Sequence, residues 1–101
     1  MSHFDEALKT VPCTAKWQKI IIKALTEVGV KAGPTGIMLL ISSLKRSLHS
    51  NESPDLSRLS LKAASNLTAV MQQEEAERKA EVNDFLDTIK SVLLGSILSG
   101  V

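Results

Sequence analysis

"AVMQQEEAERKAEVNDFLDTIK", residues 69–90, passes from one apolar helical pattern to another through Gln72 to Glu81, a run without a large apolar residue. The run is either a loop between two helices or the exposed middle of a single one. Its composition favours continuity. Ala76 and Ala80 have the highest helix propensity, and Glu74/Arg78 and Glu75/Lys79 are i to i+4 pairs with the acid first, each worth a few tenths of a kcal/mol. Tight helical connections usually recruit Gly, Asn or Pro, and none occurs from Gln72 to Val82. At 100° per residue, Leu56, Ala63, Ala64, Leu67, Met71, Val82, Ile89 and Val92 all lie within about 60° of Phe85, so the apolar stripe keeps phase across the polar run. The pattern therefore predicts one long helix over about 54–94, with an amphipathic tail to residue 101.

A helix of about 40 residues is ~60 Å long, whereas a compact domain of ~100 residues has a radius of gyration near 13 Å. Such a helix overhangs its own domain and exposes Val82, Phe85, Leu86 and Ile89, too much apolar surface to leave in water. The sequence thus predicts a homodimer or a helical protein partner. In an antiparallel pair centred near residues 76 and 77, Glu75 faces Arg78, Glu74 faces Lys79, Met71 faces Val82, Leu67 faces Leu86 and Ala64 faces Ile89. Polar seam residues then fix the register, as in coiled coils.

Upstream, apolar residues at Trp17, Ile20, Ile21, Ala24, Leu25 and Val28 follow the spacing of one helical face, with Lys16, Lys19, Lys23 and Glu27 on another side. Gly33-Pro34 supplies the stop. Ile37, Leu40, Ile41, Leu44 and Leu48 repeat the pattern, and Lys45, Arg46 and His49 crowd the end where cations meet the negative pole of the helix dipole. The expected helices span about 14–32 and 35–49. A short amphipathic one over about 3–10 precedes them and ends before Pro12. Ser53-Pro54-Asp55, with a hydroxyl N-cap, a proline at the first position and an acid in the first turn, is the start signal of the long helix. The expected fold class is all-α, a single small helical bundle.

With 101 residues, 44% apolar, 23% charged and net charge +1, the chain has the composition of one globular domain. Residues 1–71 hold nine Lys/Arg against five Asp/Glu, and residues 72–101 hold three against six, so the two parts attract each other within or between chains. One cysteine, Cys13, excludes an intramolecular disulfide and points to a reducing cytoplasmic setting. The acidic start MSHFDEALKT reads as no secretory signal, and the triplets at Asn51 and Asn66 read as chance matches to a glycosylation site. Ala32 to Leu44, the longest uncharged run, is well short of the ~20 apolar residues of a membrane span. The tail IKSVLLGSILSGV, residues 89–101, carries only Lys90 for anionic lipid and reads as a docking helix.

No catalytic, metal or cofactor site is expected. Cys13 has no base nearby in sequence, His3 and His49 lack paired spacing, and the acids from Glu74 to Asp87 lack both the glycine turn of a calcium loop and a Glu-x-x-His pattern. No strand precedes a glycine-rich phosphate loop, and no small-molecule substrate is evident. The leading expectation is a non-enzymatic interaction and oligomerisation module with Leu67, Met71, Glu75, Arg78, Val82, Phe85, Leu86 and Ile89 at its interface. The alternative is a dimeric binder of double-stranded RNA, of the style used by small viral suppressors of RNA silencing. Lys45, Arg46, Arg58 and Lys62 would form its basic helix face, since a duplex is read through shape and backbone.

Overall fold

The computed structural model describes residues 3–50, 52–72 and 75–98, with side chains for 6–50, 52–72 and 75–95. Four helices follow one another: α1 (His3–Lys9), α2 (Lys16–Ser50), α3 (Leu61–Met71) and α4 (Ala76–Leu98). There is no strand among the described residues.

The helix assignment runs through α2 without a gap, yet Gly33 at φ 66°, ψ −164° is not helical. Proline at 34 disfavours a helical ψ in the residue before it, and the positive φ with extended ψ that Gly33 adopts is a region open essentially to glycine alone. Pro34 then begins the second half of α2, where a missing N–H costs nothing. A straight helix of this length would be ~52 Å long, more than the molecule's longest dimension of 40 Å. The two halves fold towards each other, close enough that a Cβ on Gly29 would stand 2.8 Å from Ile37 Cδ1. In a straight helix those two positions are ~12 Å apart along the axis.

At its other end α2 starts with half of a capping box: Gln18 Oε1 accepts the backbone N–H of Thr14 at 2.7 Å and of Ala15 at 2.9 Å. Its apolar stripe, with Ile21, Leu25 and Val28 in the first half and Ile37, Ile41 and Leu44 in the second, is the centre of the core. α2 is also long and apolar enough to cross a membrane by length and composition, but here it is bent and these residues are covered by protein. α3 packs on α2, α4 packs on α1 and α2, and Leu8 and Val11 close the core from the N-terminal side.

The long helix expected over about 54–94 is not formed. Residues 54–60 are held out of helix by side-chain bonds: Asp55 Oδ1 accepts the Ser57 N–H at 3.1 Å and the Ser57 hydroxyl at 2.8 Å, an Asx turn that competes with helix. The Asp55 N–H in turn donates to the buried Ser43 hydroxyl at 2.8 Å. The N-cap is Ser60, whose Oγ accepts the Ala63 N–H, so the helix starts at Leu61 rather than near Pro54.

It ends at Met71. Gln72 leaves the helix at φ −80°, ψ 69°, the inverse γ-turn minimum that any L-residue can occupy. This is why the connection required neither glycine nor proline. α3 and α4 make no close backbone approach to each other among the described residues. Each goes to α2 instead, burying Leu67 and Val70 from α3 and Val82, Phe85, Leu86, Ile89 and Leu93 from α4. Full burial of five such side chains is worth on the order of 10 kcal/mol, against at most a few kcal/mol for the propensity and ion pairs of an unbroken helix. Tertiary burial wins. Glu74 and the end of the tail, residues 99–101, lie outside the described residues, as do the side chains of His3, Ile97 and Leu98.

Glycine substitutions test the bend. A Cβ on Gly33 meets nothing within 4 Å, so Gly33→Ala is expected to cost about 1–3 kcal/mol through backbone strain alone. At Gly36 a Cβ would collide with the Ala32 methyl and stand 3.1 Å from Val28 Cγ1, so Gly36→Ala is expected to destabilise by about the same amount through overpacking. Gly95→Ala, in open space on α4, is expected to be neutral or to stabilise by up to ~1 kcal/mol. Urea unfolding of the three variants measures this, and a Gly33→Ala protein as stable as Gly95→Ala would refute the assigned backbone at the bend.

Candidate functional site

Between the first half of α2 and α3 lies an open groove of about 930 Å³. Its floor is apolar, formed by Trp17, Ile20 and Ala24 from α2 and Ala63, Ala69 and Val70 from α3. Lys16, Lys19 and Lys23 line it from α2, Lys62 from α3 and Arg78 from the start of α4. All four lysines are exposed. Lysines at i, i+3 and i+7 share a helix face, so the sequence placed this row correctly on a side of its own. What it could not show is that α3 would lie along that row and presents mainly short side chains to it.

The ends of the groove differ. At one end Trp17 meets the Phe85 ring edge to face, centroids 5.3 Å apart and planes at 78°, and Arg78 Cζ lies 5.8 Å from the centre of the Trp17 ring. Arg78 also pairs with Glu81, Nε to Oε2 3.4 Å. At the other end stands Glu27, the one carboxylate among the described residues of the lining. Its Oε2 accepts the Ser60 N–H at 2.7 Å. The same corner is tied by Lys31 Nζ donating to the Arg58 carbonyl at 3.3 Å. The Ser60 backbone N–H, reinforced by the Ser60 hydroxyl and Lys31, holds the Glu27 carboxyl below its usual value of 4.5. Ser57 similarly lowers Asp55, by side-chain and then backbone hydrogen bonds.

Glu27 and Ser60 are thus engaged in structural bonds, Ser60 Oγ with Ala63 N–H as well. What remains for a ligand is positive charge over an apolar floor. Among the described residues no three His, Cys, Asp or Glu gather as a metal-binding group. Cys13, half-buried, donates to the Val11 carbonyl at 3.5 Å.

The residues expected at a dimer interface lie elsewhere. Leu67, Met71, Val82, Phe85, Leu86 and Ile89 are in the core of the single chain, so the inter-chain pairing of Leu67 with Leu86 and of Met71 with Val82 is not available in this fold. The same apolar stripe that suggested a partner is consumed by α1 and α2. Glu75 is exposed, its carbonyl accepting the Lys79 N–H, and Arg78 turns to Trp17 and Glu81.

The basic set is divided as well. Lys45 is paired with Asp87 of α4, and Asp87 also accepts from Asn83 Nδ2 at 3.5 Å. Arg46 is exposed on the second half of α2, Arg58 is exposed in the loop before α3, and Lys62 belongs to the groove.

The chain matches no protein-family model, no curated protein and no solved structure.

The Glu27 bond predicts a pH dependence. A depressed folded-state pKa contributes stability that is full above the unfolded value and is lost as pH falls through the folded one. Glu27→Gln is therefore expected to be less stable than the parent at neutral pH and to converge with it as pH drops below 4.5. Thermal unfolding of both proteins across that range measures the effect, and a difference that persists unchanged in acid would contradict it.

Proposed function

We propose that the protein is a non-enzymatic interaction module that receives a negatively charged macromolecule in the groove between α2 and α3. The observation that carries this reading is the gathering of Lys16, Lys19, Lys23, Lys62 and Arg78 around one apolar floor where Glu27, the one carboxylate among the described lining residues, is already bonded. Like charges clustered at a surface raise its potential and steer an oppositely charged partner. Interaction, rather than chemistry on a small substrate, was also the leading expectation from sequence. In this proposal its surface lies on the α2 side rather than on the α4 stripe, because that stripe is buried within the chain.

A homodimer remains compatible with this reading only in a different form. Glu77, Glu81 and Asp84 are exposed on α4, spaced i, i+4, i+7 on one side of the helix, and carry the charge the groove would receive from a second copy. A duplex RNA is the other anionic partner. The groove's four exposed lysines suit it better than Lys45, which is paired with Asp87.

Amide chemical-shift mapping with polyglutamate and with a short RNA duplex tests the groove. The expected result is saturable shifts concentrated over residues 16–27 and 60–70 that weaken with added salt, while residues 36–48 stay unmoved. Lys19→Glu with Lys23→Glu is expected to abolish them without loss of fold, because both side chains are exposed. Shifts spread evenly over the surface, or none with either polyanion, would sink the proposal. Light scattering at low salt tests the second copy: a dimer abolished by the same pair of substitutions supports it, and a monomer at all concentrations removes it.

A further inference from the structure

Resting on the reading of the groove as an anion-receiving surface, we infer that its occupant is an acidic amphipathic helix of another protein, docked along α2 with its apolar residues on the groove floor. Three observations select this class.

First, the groove is a slot between two packed helices, with α3 running back along α2: its first turn is bonded to Glu27, while Arg78, beyond its last turn, lies over Trp17. From Lys16 to Glu27 this slot spans about 16 Å, close to three turns of helix. Laying an amphipathic helix into such a slot is a recurrent mode of peptide recognition.

Second, the floor between the charged side chains is apolar, formed by Trp17, Ile20 and Ala24 from α2 and Ala63 and Val70 from α3. One turn past Glu27 on the same face of α2, Val30 is 76% exposed. A helix with acids over Lys16, Lys19 and Lys23, apolar residues on the floor and an apolar end reaching Val30 matches the groove along its length. Neither the phosphates of a duplex nor a point anion has any use for an apolar floor.

Third, nucleic-acid bases have nowhere to stack. Trp17 is the only tryptophan of the chain, and its ring is already engaged by Phe85 and Arg78. Base stacking on aromatic side chains is what ordinarily holds single strands. A second copy of this chain fits poorly too. The outward side of α4 carries its acids beside Ala80, Ser91 and Gly95, small residues that cannot fill an apolar floor. An isolated helix of this length is marginal in water, so the occupant is a disordered acidic segment that folds as it docks.

The lone tryptophan in the floor makes the test direct. The probe is a synthetic acidic peptide of about 16 residues with leucine at i, i+3, i+4 and i+7, compared with a scrambled peptide of the same composition and with a short RNA duplex. Saturable change in Trp17 emission together with a gain of helical circular dichroism is expected for the amphipathic peptide alone, at concentrations up to about 1 mM. Val30→Ser should weaken it several-fold, and Lys19→Glu with Lys23→Glu should abolish it. All three side chains are exposed, so the fold is spared. If the scrambled peptide or the duplex binds equally well, or if Val30→Ser has no effect, the helix inference is wrong while the anionic groove stands. If no anion changes the tryptophan signal, both fall.

Discussion

Everything in this fold hangs on the backbone of one residue. At Gly33 the proline that follows disfavours helical ψ, and only glycine readily tolerates the positive φ with extended ψ adopted there. The bend turns what would be a rod of ~52 Å into two arms whose apolar stripes face a common interior. Ile21, Leu25 and Val28 on one arm and Ile37, Ile41 and Leu44 on the other are nearly inaccessible to water. α1, α3 and α4 are then short amphipathic pieces laid on that bent spine, and none of them requires a sheet or a disulfide to hold it.

The groove is a consequence of what covers the first arm. α4 covers its side of α2 with Val82, Phe85, Leu86 and Ile89, which leave little room. α3 offers Ala63, Asn66 and Ala69 along the groove instead. These side chains are too short to close over Ile20, and the lysines opposite keep their charged ends in water while their stems border the floor. The corner is secured by bonds from side chain to backbone, Glu27 to Ser60 and Lys31 to Arg58. The slot is thereby preformed, a property that lowers the ordering cost of binding.

The polar run between α3 and α4 shows how local and tertiary preferences compete. Its alanines and its acid-to-base spacing favour helix, each by tenths of a kcal/mol. Ending α3 at Met71 lets the five large apolar residues of α4 reach the spine, a gain several times larger than those preferences summed. The phase match of the stripe across the run was real, but phase says only which face is apolar. It does not say that one partner must cover both stretches, and here α3 and α4 turn their faces to different parts of α2.

The sequence by itself determined the helical class, the break at Gly33-Pro34 and which face of each helix is apolar, because each rests on local chemistry: periodicity of apolar residues, the proline constraint, glycine's freedom. It also placed Lys16, Lys19 and Lys23 on a face apart from the apolar stripe. Where α3 begins and ends, and which surface is left for a partner, only the tertiary structure decided. The start at Leu61 depends on Asp55 reaching Ser57 and Ser43. The end at Met71 depends on burial against a spine that ends at Ser50, well upstream in the chain, and Lys62 joins the row from α2 only because α3 folds back along it. Contacts between residues distant in the chain carry no local signature, whereas proline's constraint on the residue before it and glycine's freedom to take positive φ belong to those two residues alone.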